Sequence, residues 1–155
     1  MVTTLRDEIK QNKPFTSLEQ EAQLNIVRTG ALLMDEAEQV LRPYGITATQ
    51  FNVLRILRGA EPDGLCRNEL RDRMLTRMPD MTRLLDRMEE AGLVARCREE
   101  DDRRMVRSRI AAAGLELLRV LDDVVVDEHK RRFSHLSEEQ LRTLIDLLTT
   151  VRQKP

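Results

Sequence analysis

Two arginines spaced four residues apart stand out in a chain that is slightly acidic overall. Arg83 and Arg87 belong to the stretch PDMTRLLDRMEEAGLV, residues 79–94 of a 155-residue chain whose net charge is −1. Residues four apart on a helix project in the same direction. The planar guanidinium fork of arginine suits phosphates and the edge of guanine. The spacing therefore favours contact with a nucleic acid.

The apolar residues of the same stretch indicate which side of the helix is free. Met81, Leu84, Leu85 and Met88 recur at helical spacing and predict one buried stripe, with the arginines opposite. A helix start adds free backbone N–H groups that bind phosphates. The residues that we expect to contact DNA are Asn68, Thr76, Arg77, Pro79, Asp80, Thr82, Arg83 and Arg87, together with Arg103 and Arg104 further along.

Two acidic residues in this stretch have open roles. Asp80 could accept a hydrogen bond from a cytosine amino group, or it could orient Arg83 or Arg77. Asp86 could pair with Arg83 or Arg87, which would make the face a solvated surface only. Pro79 is suited to the first helical turn.

The basic residues of the middle segment are all arginine. Residues 67–109 contain 12 arginines, no lysine and 10 acidic residues, so this segment carries +2 while the rest of the chain carries −3. Arginine suits phosphate and guanine better than lysine does. A GC-rich genome that favours arginine codons would explain the same bias.

Catalytic and metal chemistry is poorly supplied. No glycine-rich phosphate loop, nucleophile–base pair or metal-ligand cluster is evident, so we expect no enzyme, no metal and no cofactor. Cys66 and Cys97 have no nearby histidine, and a structural disulfide is not expected in the cytosol. Cys66 begins a short predicted helix, where its thiol could be reactive, so a redox role for Cys66 or Cys97 is an alternative to simple packing.

Composition bounds the class of protein. Aromatic residues make up 3% of the chain, which leaves an aliphatic core and little material for stacking single-stranded bases. No apolar run is long enough to span a membrane, and the N-terminus lacks the apolar core of a signal peptide. We expect a cytoplasmic protein without membrane association.

The elements that must position these residues follow from periodicity, caps and turns. Capping boxes are predicted at Ser17, Thr47 and Ser137, each with a Gln three residues later. Alternating residues on both sides of the EEDD run predict a two-stranded hairpin with a charged tip. Helices are predicted at 17–42, 47–60, 66–75, 79–91, 111–133 and 137–153, and strands at 93–98 and 104–110. A short helix, a turn, a second helix and a hairpin form the layout of a winged helix-turn-helix.

The chain resembles the MarR family of winged-helix transcriptional regulators from about Thr47 to Gly114. The hairpin fits the family's wing signature of Asp-x-Arg, an aliphatic residue after five more, and Gly four further on. The matching segments are TATQFNVLRIL, MTRLLDRMEEAGLV and DRRMVRSRIAAAG, with Asp102, Arg104, Ile110 and Gly114 at the signature positions. Departures are Ala111, Ala112 and Ala113, which weaken a helix cap, and Pro79 and Asp80 where many members have small hydroxyl residues.

The resemblance implies a mainly α fold, a winged helix-turn-helix with long terminal helices that form a dimerisation region. Residues 1–155 would then be one MarR-like domain, with a DNA-binding core at 47–110 and a helical dimerisation region at 17–42 and 111–153. The resemblance also implies a homodimer on a palindromic double-stranded operator, repression, and release by a small-molecule effector. Asp102 would brace a wing arginine.

Two rival functions stay open. A redox-sensing repressor would use Cys66 or Cys97 to control the same DNA binding. A winged-helix protein-interaction module would share the fold but lack salt-sensitive binding to DNA.

Overall fold

Helices dominate the chain in the computed structural model, which describes residues 3–100, 102 and 104–153. The described residues form seven α-helices, one 3-10 helix and one three-stranded antiparallel sheet, which confirms the predicted, mainly α fold class. The chain divides into two compact units, residues 1–51 and residues 52–155, with the boundary inside the helix α3 (Ala48–Gly59).

The first unit contains α1 (Leu5–Glu8), α2 (Leu18–Leu41) and the 3-10 helix Arg42–Tyr44. The capping box predicted at the start of α2 is half right. The Ser17 hydroxyl accepts from the Gln20 backbone N–H at 3.1 Å, but the Gln20 side chain accepts from the backbone of Thr16 instead. The RPYG break ends α2 as predicted, with Gly45 in the left-handed region at φ 74°.

Helix α3 begins at the predicted cap. The Thr47 hydroxyl accepts from the Gln50 N–H at 3.1 Å, and the Gln50 side chain accepts from the Thr47 N–H at 3.0 Å. Leu54 and Leu57 are completely buried, as the periodicity predicts, while Phe51 is half-buried.

The short helix α4 (Arg67–Asp72) ends earlier than the sequence predicts. The prediction extended it to Leu75 as one of its apolar residues, whereas Leu75 lies beyond the helix and is 84% exposed. The chain leaves the helix because the Arg73 and Met74 N–H groups bond three residues back in tight turns. The Leu75 N–H then donates to the Asn52 side chain at 3.0 Å, which fixes the following loop to α3.

The predicted hairpin is present, and a third strand pairs with it to form a three-stranded sheet. Strands β2 (Val94–Arg98) and β3 (Val106–Ile110) pair antiparallel, and β1 (Leu65–Cys66) pairs with the other edge of β3. The sequence missed β1 because two residues are too few to show an alternating pattern. The strand order is therefore β1-β3-β2. We call the β2–β3 hairpin, residues 94–110, the wing.

Two long helices follow the sheet: α6 (Ala112–Arg132) and α7 (Glu138–Arg152). Gly114 lets α6 pack closely, because a Cβ there would lie 2.5 Å from the Leu93 carbonyl oxygen. Ala111 makes no side-chain cap at the start of α6, as its substitution for Thr predicted, whereas Ser137 and Gln140 form the predicted capping box of α7.

Candidate nucleic-acid interface

Residues next to it in the sequence determine where the helix α5 (Met81–Glu90) begins and ends. Its N-cap is Asp80, whose carboxylate accepts from the Arg83 backbone N–H at 3.1 Å. Pro79 therefore precedes the helix, and its predicted place in the first turn was wrong because the Asp80 cap begins the helix two residues later. Gly92 ends the element at φ 73°, as predicted.

The predicted buried stripe fixes the rotation of α5. Met81, Leu84, Leu85 and Met88 are all buried. Thr82, Arg83 and Arg87 are exposed on the other side. The guanidinium groups of Arg83 and Arg87 make no hydrogen bond or ion pair within the described part of the chain. They are thus available to an external anion.

A neighbouring arginine that the sequence analysis missed belongs to the same surface. Arg67, the first residue of α4, donates from its guanidinium to the Thr82 hydroxyl at 3.1 Å. This bond ties the start of α4 to the first turn of α5. Arg67 stands beside the predicted Asn68, but no sequence periodicity connects it to Thr82 fifteen residues later.

The acidic residues of α5 are occupied by a second missed arginine. Arg96, on β2, bonds Asp86 at 2.6 Å and Glu89 at 2.9 and 2.6 Å. The hydrogen bonds from Arg96 to Glu89 lower the pKa of the Glu89 carboxyl below its usual value. The alternative pairing of Asp86 with Arg83 or Arg87 is not observed among the described residues. Arg96 contacts Asp86 and Glu89, which lie on successive turns of α5.

The loop before α5 carries three predicted contact residues. Thr76, Arg77 and Pro79 are all exposed, and Asn68 is exposed on the nearby α4. The bond from Leu75 to Asn52 anchors the start of this loop. These loop residues directly precede α5 in the sequence and are exposed to solvent.

In the wing turn, the predicted bracing residue Asp102 contacts the backbone of Arg104. The Asp102 carboxylate accepts from the Arg104 backbone N–H at 2.9 Å, and its carbonyl accepts from the Met105 N–H at 2.9 Å. Asp102 therefore shapes the turn that presents Arg104, which is exposed. The predicted contact residue Arg103 lies outside the described residues.

A cleft of about 370 Å³ joins the wing to the two short helices. Arg67, Thr82, Arg96 and Arg104 line it, with Ser108 among the strand residues. The structure thereby brings the predicted Thr82 and Arg104 to one surface. This surface offers guanidinium groups and a hydroxyl, the donors that contact phosphates and base edges.

A network around Arg107 holds the wing to the rest of the unit. The Arg107 guanidinium, on β3, bonds the Glu99 carboxylate, the Glu69 carboxylate at 3.3 Å and the Gly64 carbonyl at 3.1 Å. Glu69 also accepts from the Cys66 backbone N–H at 2.8 Å, and this bond is the main cause of its lowered pKa. Arg107 therefore provides a counter-charge to both Glu69 and Glu99.

The two cysteines lie on either side of that arginine. Cys66 on β1 and Cys97 on β2 both pair with Arg107 across the sheet. Two strand spacings separate them by roughly 10 Å, whereas a disulfide needs Cα atoms within about 7 Å. This register does not bring them together as a disulfide, and Cys97 is the more exposed of the two.

The described residues contain neither a candidate metal site nor a membrane-spanning helix. Across residues 3–100, 102 and 104–153 no group of three or more His, Cys, Asp or Glu side chains could hold a metal ion. Within the same residues no helix is long and apolar enough to cross a bilayer.

The comparisons with known proteins point to one family. A sequence model of the MarR family matches residues 44–105. The HTH-type transcriptional repressor Mb2911 of Mycobacterium bovis is 30% identical over 117 residues, which cover 76% of this chain and 83% of that protein. A MarR transcription factor from Planctomyces limnophilus is 37% identical with a TM-score of 0.68, covering 88% of this chain and 99% of that one.

Several of the similar structures are complexes with DNA. The MepR–DNA complex of S. aureus has a TM-score of 0.73 at 26% identity, and the match covers 82% of this chain and 93% of that chain.

Proposed function

Because the chain belongs to the MarR family of DNA-binding transcriptional regulators, we propose that it is a repressor that binds a palindromic operator as a homodimer. The observation that carries the proposal is the exposed face of α5, where Arg83 and Arg87 have no partner among the described residues. We call α5 the recognition helix, since the second helix of such a motif enters the major groove.

Each candidate residue has a distinct part in the proposed complex. Arg83 and Arg87 contact bases or phosphates in the major groove, and Thr82 and Arg67 contact phosphates beside it. Arg104 extends from the wing toward the minor groove or its phosphates. The acidic wing turn lies close to the DNA, so Asp102 serves to hold the turn rather than to touch the nucleic acid.

The proposed dimer joins the terminal helices of two copies. No described residue of α7 is buried, and Leu144, Ile145, Leu147 and Val151 are 37% to 61% exposed. Val120 and Val126 on α6 are exposed as well. An apolar helix face of this kind needs a cover. A second copy supplies one, and its two-fold symmetry sets the half-sites about one helical turn of DNA apart.

The cleft beside the recognition helix suits a small-molecule effector. Its volume of about 370 Å³ falls within the usual range for small-molecule sites, roughly 300–1,000 Å³. Guanidinium groups in its lining favour an effector with an anionic group. Such a molecule would compete with DNA for Thr82 and Arg104, which is a physical route to release.

The first experiment selects DNA from a random duplex pool with the purified chain and sequences what is retained. We expect enrichment of a palindrome with half-site centres about 10 base pairs apart. Binding to the enriched duplex should weaken steeply with salt. Enrichment of no sequence, with binding that salt leaves unchanged, would contradict the proposal and favour a protein-interaction module.

The second experiment assigns the recognition helix. Arg83→Ala removes a bidentate base contact and should weaken binding to the enriched duplex by about 1–3 kcal/mol, with the fold retained. The matched control is Arg119→Ala on α6, where the arginine is exposed and paired only within its own helix. Unchanged affinity in a folded Arg83→Ala protein would remove Arg83 from the interface.

A redox-sensing repressor is the second candidate. Cys97 is exposed, and Cys66 pairs with Arg107 across the sheet. Oxidant should then lower DNA affinity in the native chain and leave a Cys66→Ser/Cys97→Ser variant unaffected.

A further inference from the structure

Arg96 binds two carboxylates of the recognition helix that would otherwise stand next to its arginines. Its guanidinium lies 2.6 Å from Asp86 and 2.6 Å from Glu89, and its backbone N–H donates to Glu89 at 3.2 Å. The Arg96 side chain is 23% exposed, so this ion pair is partly shielded from water and salt. Asp86 and Glu89 thus point toward β2.

Helix geometry gives Asp86 another partner. It follows Arg83 by three residues, and side chains three apart on a helix form ion pairs. An Asp86–Arg83 pair would neutralise the arginine that the proposed function assigns to DNA. The two pairings compete for the same carboxylate. In the structure Asp86 is paired with Arg96 and makes no ion pair with Arg83.

We propose that Arg96 is a positioning residue for DNA recognition, which keeps Arg83 free by holding Asp86 and Glu89 on the wing side of the helix. The inference rests on the proposed DNA-binding function. In this proposal the wing both contacts DNA and determines which charged side chains of the recognition helix are free to bind it. Arg96 acts through the two carboxylates and does not itself touch the nucleic acid.

The test compares Arg96→Gln with the triple variant Arg96→Gln/Asp86→Asn/Glu89→Gln on the duplex selected by the wild-type chain. An exposed ion pair shifts an equilibrium by up to about fivefold, so two half-sites should lower the affinity of Arg96→Gln by up to about 25-fold. The triple variant removes the released carboxylates and should recover most of that affinity.

A second variant separates charge control from mechanical bracing. Asp86→Asn/Glu89→Gln keeps Arg96 but abolishes the ion pairs, and we expect it to bind at least as tightly as the wild type. This variant also carries the test if Arg96→Gln fails to fold. Weaker binding by this folded variant would mean that the ion pairs serve as a brace, and it would overturn the inference.

Glu90 provides the matched control for the removal of a negative charge. It lies on the same helix and makes no ion pair within the described residues. Glu90→Gln should raise affinity equally in the wild-type and Arg96→Gln backgrounds, so the difference in affinity between the two should remain. Equal recovery from Glu90→Gln and from the triple variant would reduce the effect to net charge and overturn the inference.

A thermodynamic cycle with Arg83 gives a readout that a purely structural role would not change. Arg83→Ala should cost less affinity in the Arg96→Gln background than in the wild type, because Asp86 already occupies Arg83 there. Equal costs would overturn the inference. Wild-type binding is measured first on the same duplex: its absence would overturn the proposed function, whereas binding without recovery in the triple variant would overturn this inference alone.

Discussion

The carboxylate of Asp80 should stabilise the recognition helix and not read a base. It accepts the Arg83 backbone N–H at 3.1 Å, and it caps a helix of 10 residues whose first turn carries Thr82 and Arg83. In Asp80→Ala that N–H loses its protein partner. The removal of an N-cap costs about 1 kcal/mol, within a range of roughly 0.5–2 kcal/mol. For a chain of this size that lowers the Tm by about 2–4 °C per kcal/mol.

Asp80→Asn is the matched variant, because asparagine caps a helix about as well as aspartate but carries no charge. We expect Asp80→Asn to keep the Tm and to bind all duplexes somewhat more tightly, since one negative charge near the phosphates is gone. Asp80→Ala should lose the same charge but also fray the first turn. Its discrimination between operator and scrambled duplex should therefore fall.

The assay combines thermal unfolding, followed by circular dichroism, with fluorescence anisotropy on the two duplexes at two salt concentrations. Equal decreases of Tm in both variants would show that charge, not the cap, stabilises the helix. An unchanged Tm in Asp80→Ala would show that the cap contributes nothing. A weaker preference at one base pair in Asp80→Asn, with the Tm intact, would assign Asp80 to a cytosine and refute the structural role.

Three further predictions concern the wing, the dimer and acid stability. Arg104→Ala should reduce the slope of log affinity against log salt by about one for each phosphate that the arginine no longer neutralises; Asp102→Ala should also weaken binding, although it removes a negative charge, and tighter binding by Asp102→Ala would rule out its bracing role. Deletion of residues 137–155 should yield monomers or aggregates in light scattering, so a soluble, dimeric, DNA-bound product would refute the terminal-helix interface. The two hydrogen bonds from Arg58 to Asp122, at 2.7 and 3.0 Å, lower the pKa of that carboxyl. Their stabilisation is complete above about pH 4, the unfolded value, and is lost as pH falls through the lower folded pKa; an Asp122→Asn chain with the same acid dependence would contradict this.

Features that depend on neighbours in the chain were predictable. The buried stripe of α5 follows from the 3.6-residue period, which places Met81 and Met88 on one side and Arg83 on the other whatever else surrounds them. The caps at Thr47 and Ser137 join residues three apart, so residue type and spacing suffice. The family resemblance drew on the same kind of local pattern.

The ends of elements were less predictable where local and tertiary preferences compete. Leu75 continues the apolar pattern of α4, yet it is exposed because the chain turns and its N–H bonds Asn52, 23 residues earlier. Strand β1 exists only because β3 offers it an edge.

The pairing of charges was decided by the tertiary structure. Residues 67–109 contain 12 arginines and 10 acidic residues, so composition leaves many pairings open. The fold brings Arg96 on β2 to Asp86 and Glu89, and Arg107 on β3 to Glu69, 38 residues away. The guanidinium of Arg83 has no partner within the described chain. Sequence periodicity fixes which side of a helix a charge occupies, but only the packing of distant segments determines which counter-charge comes within reach.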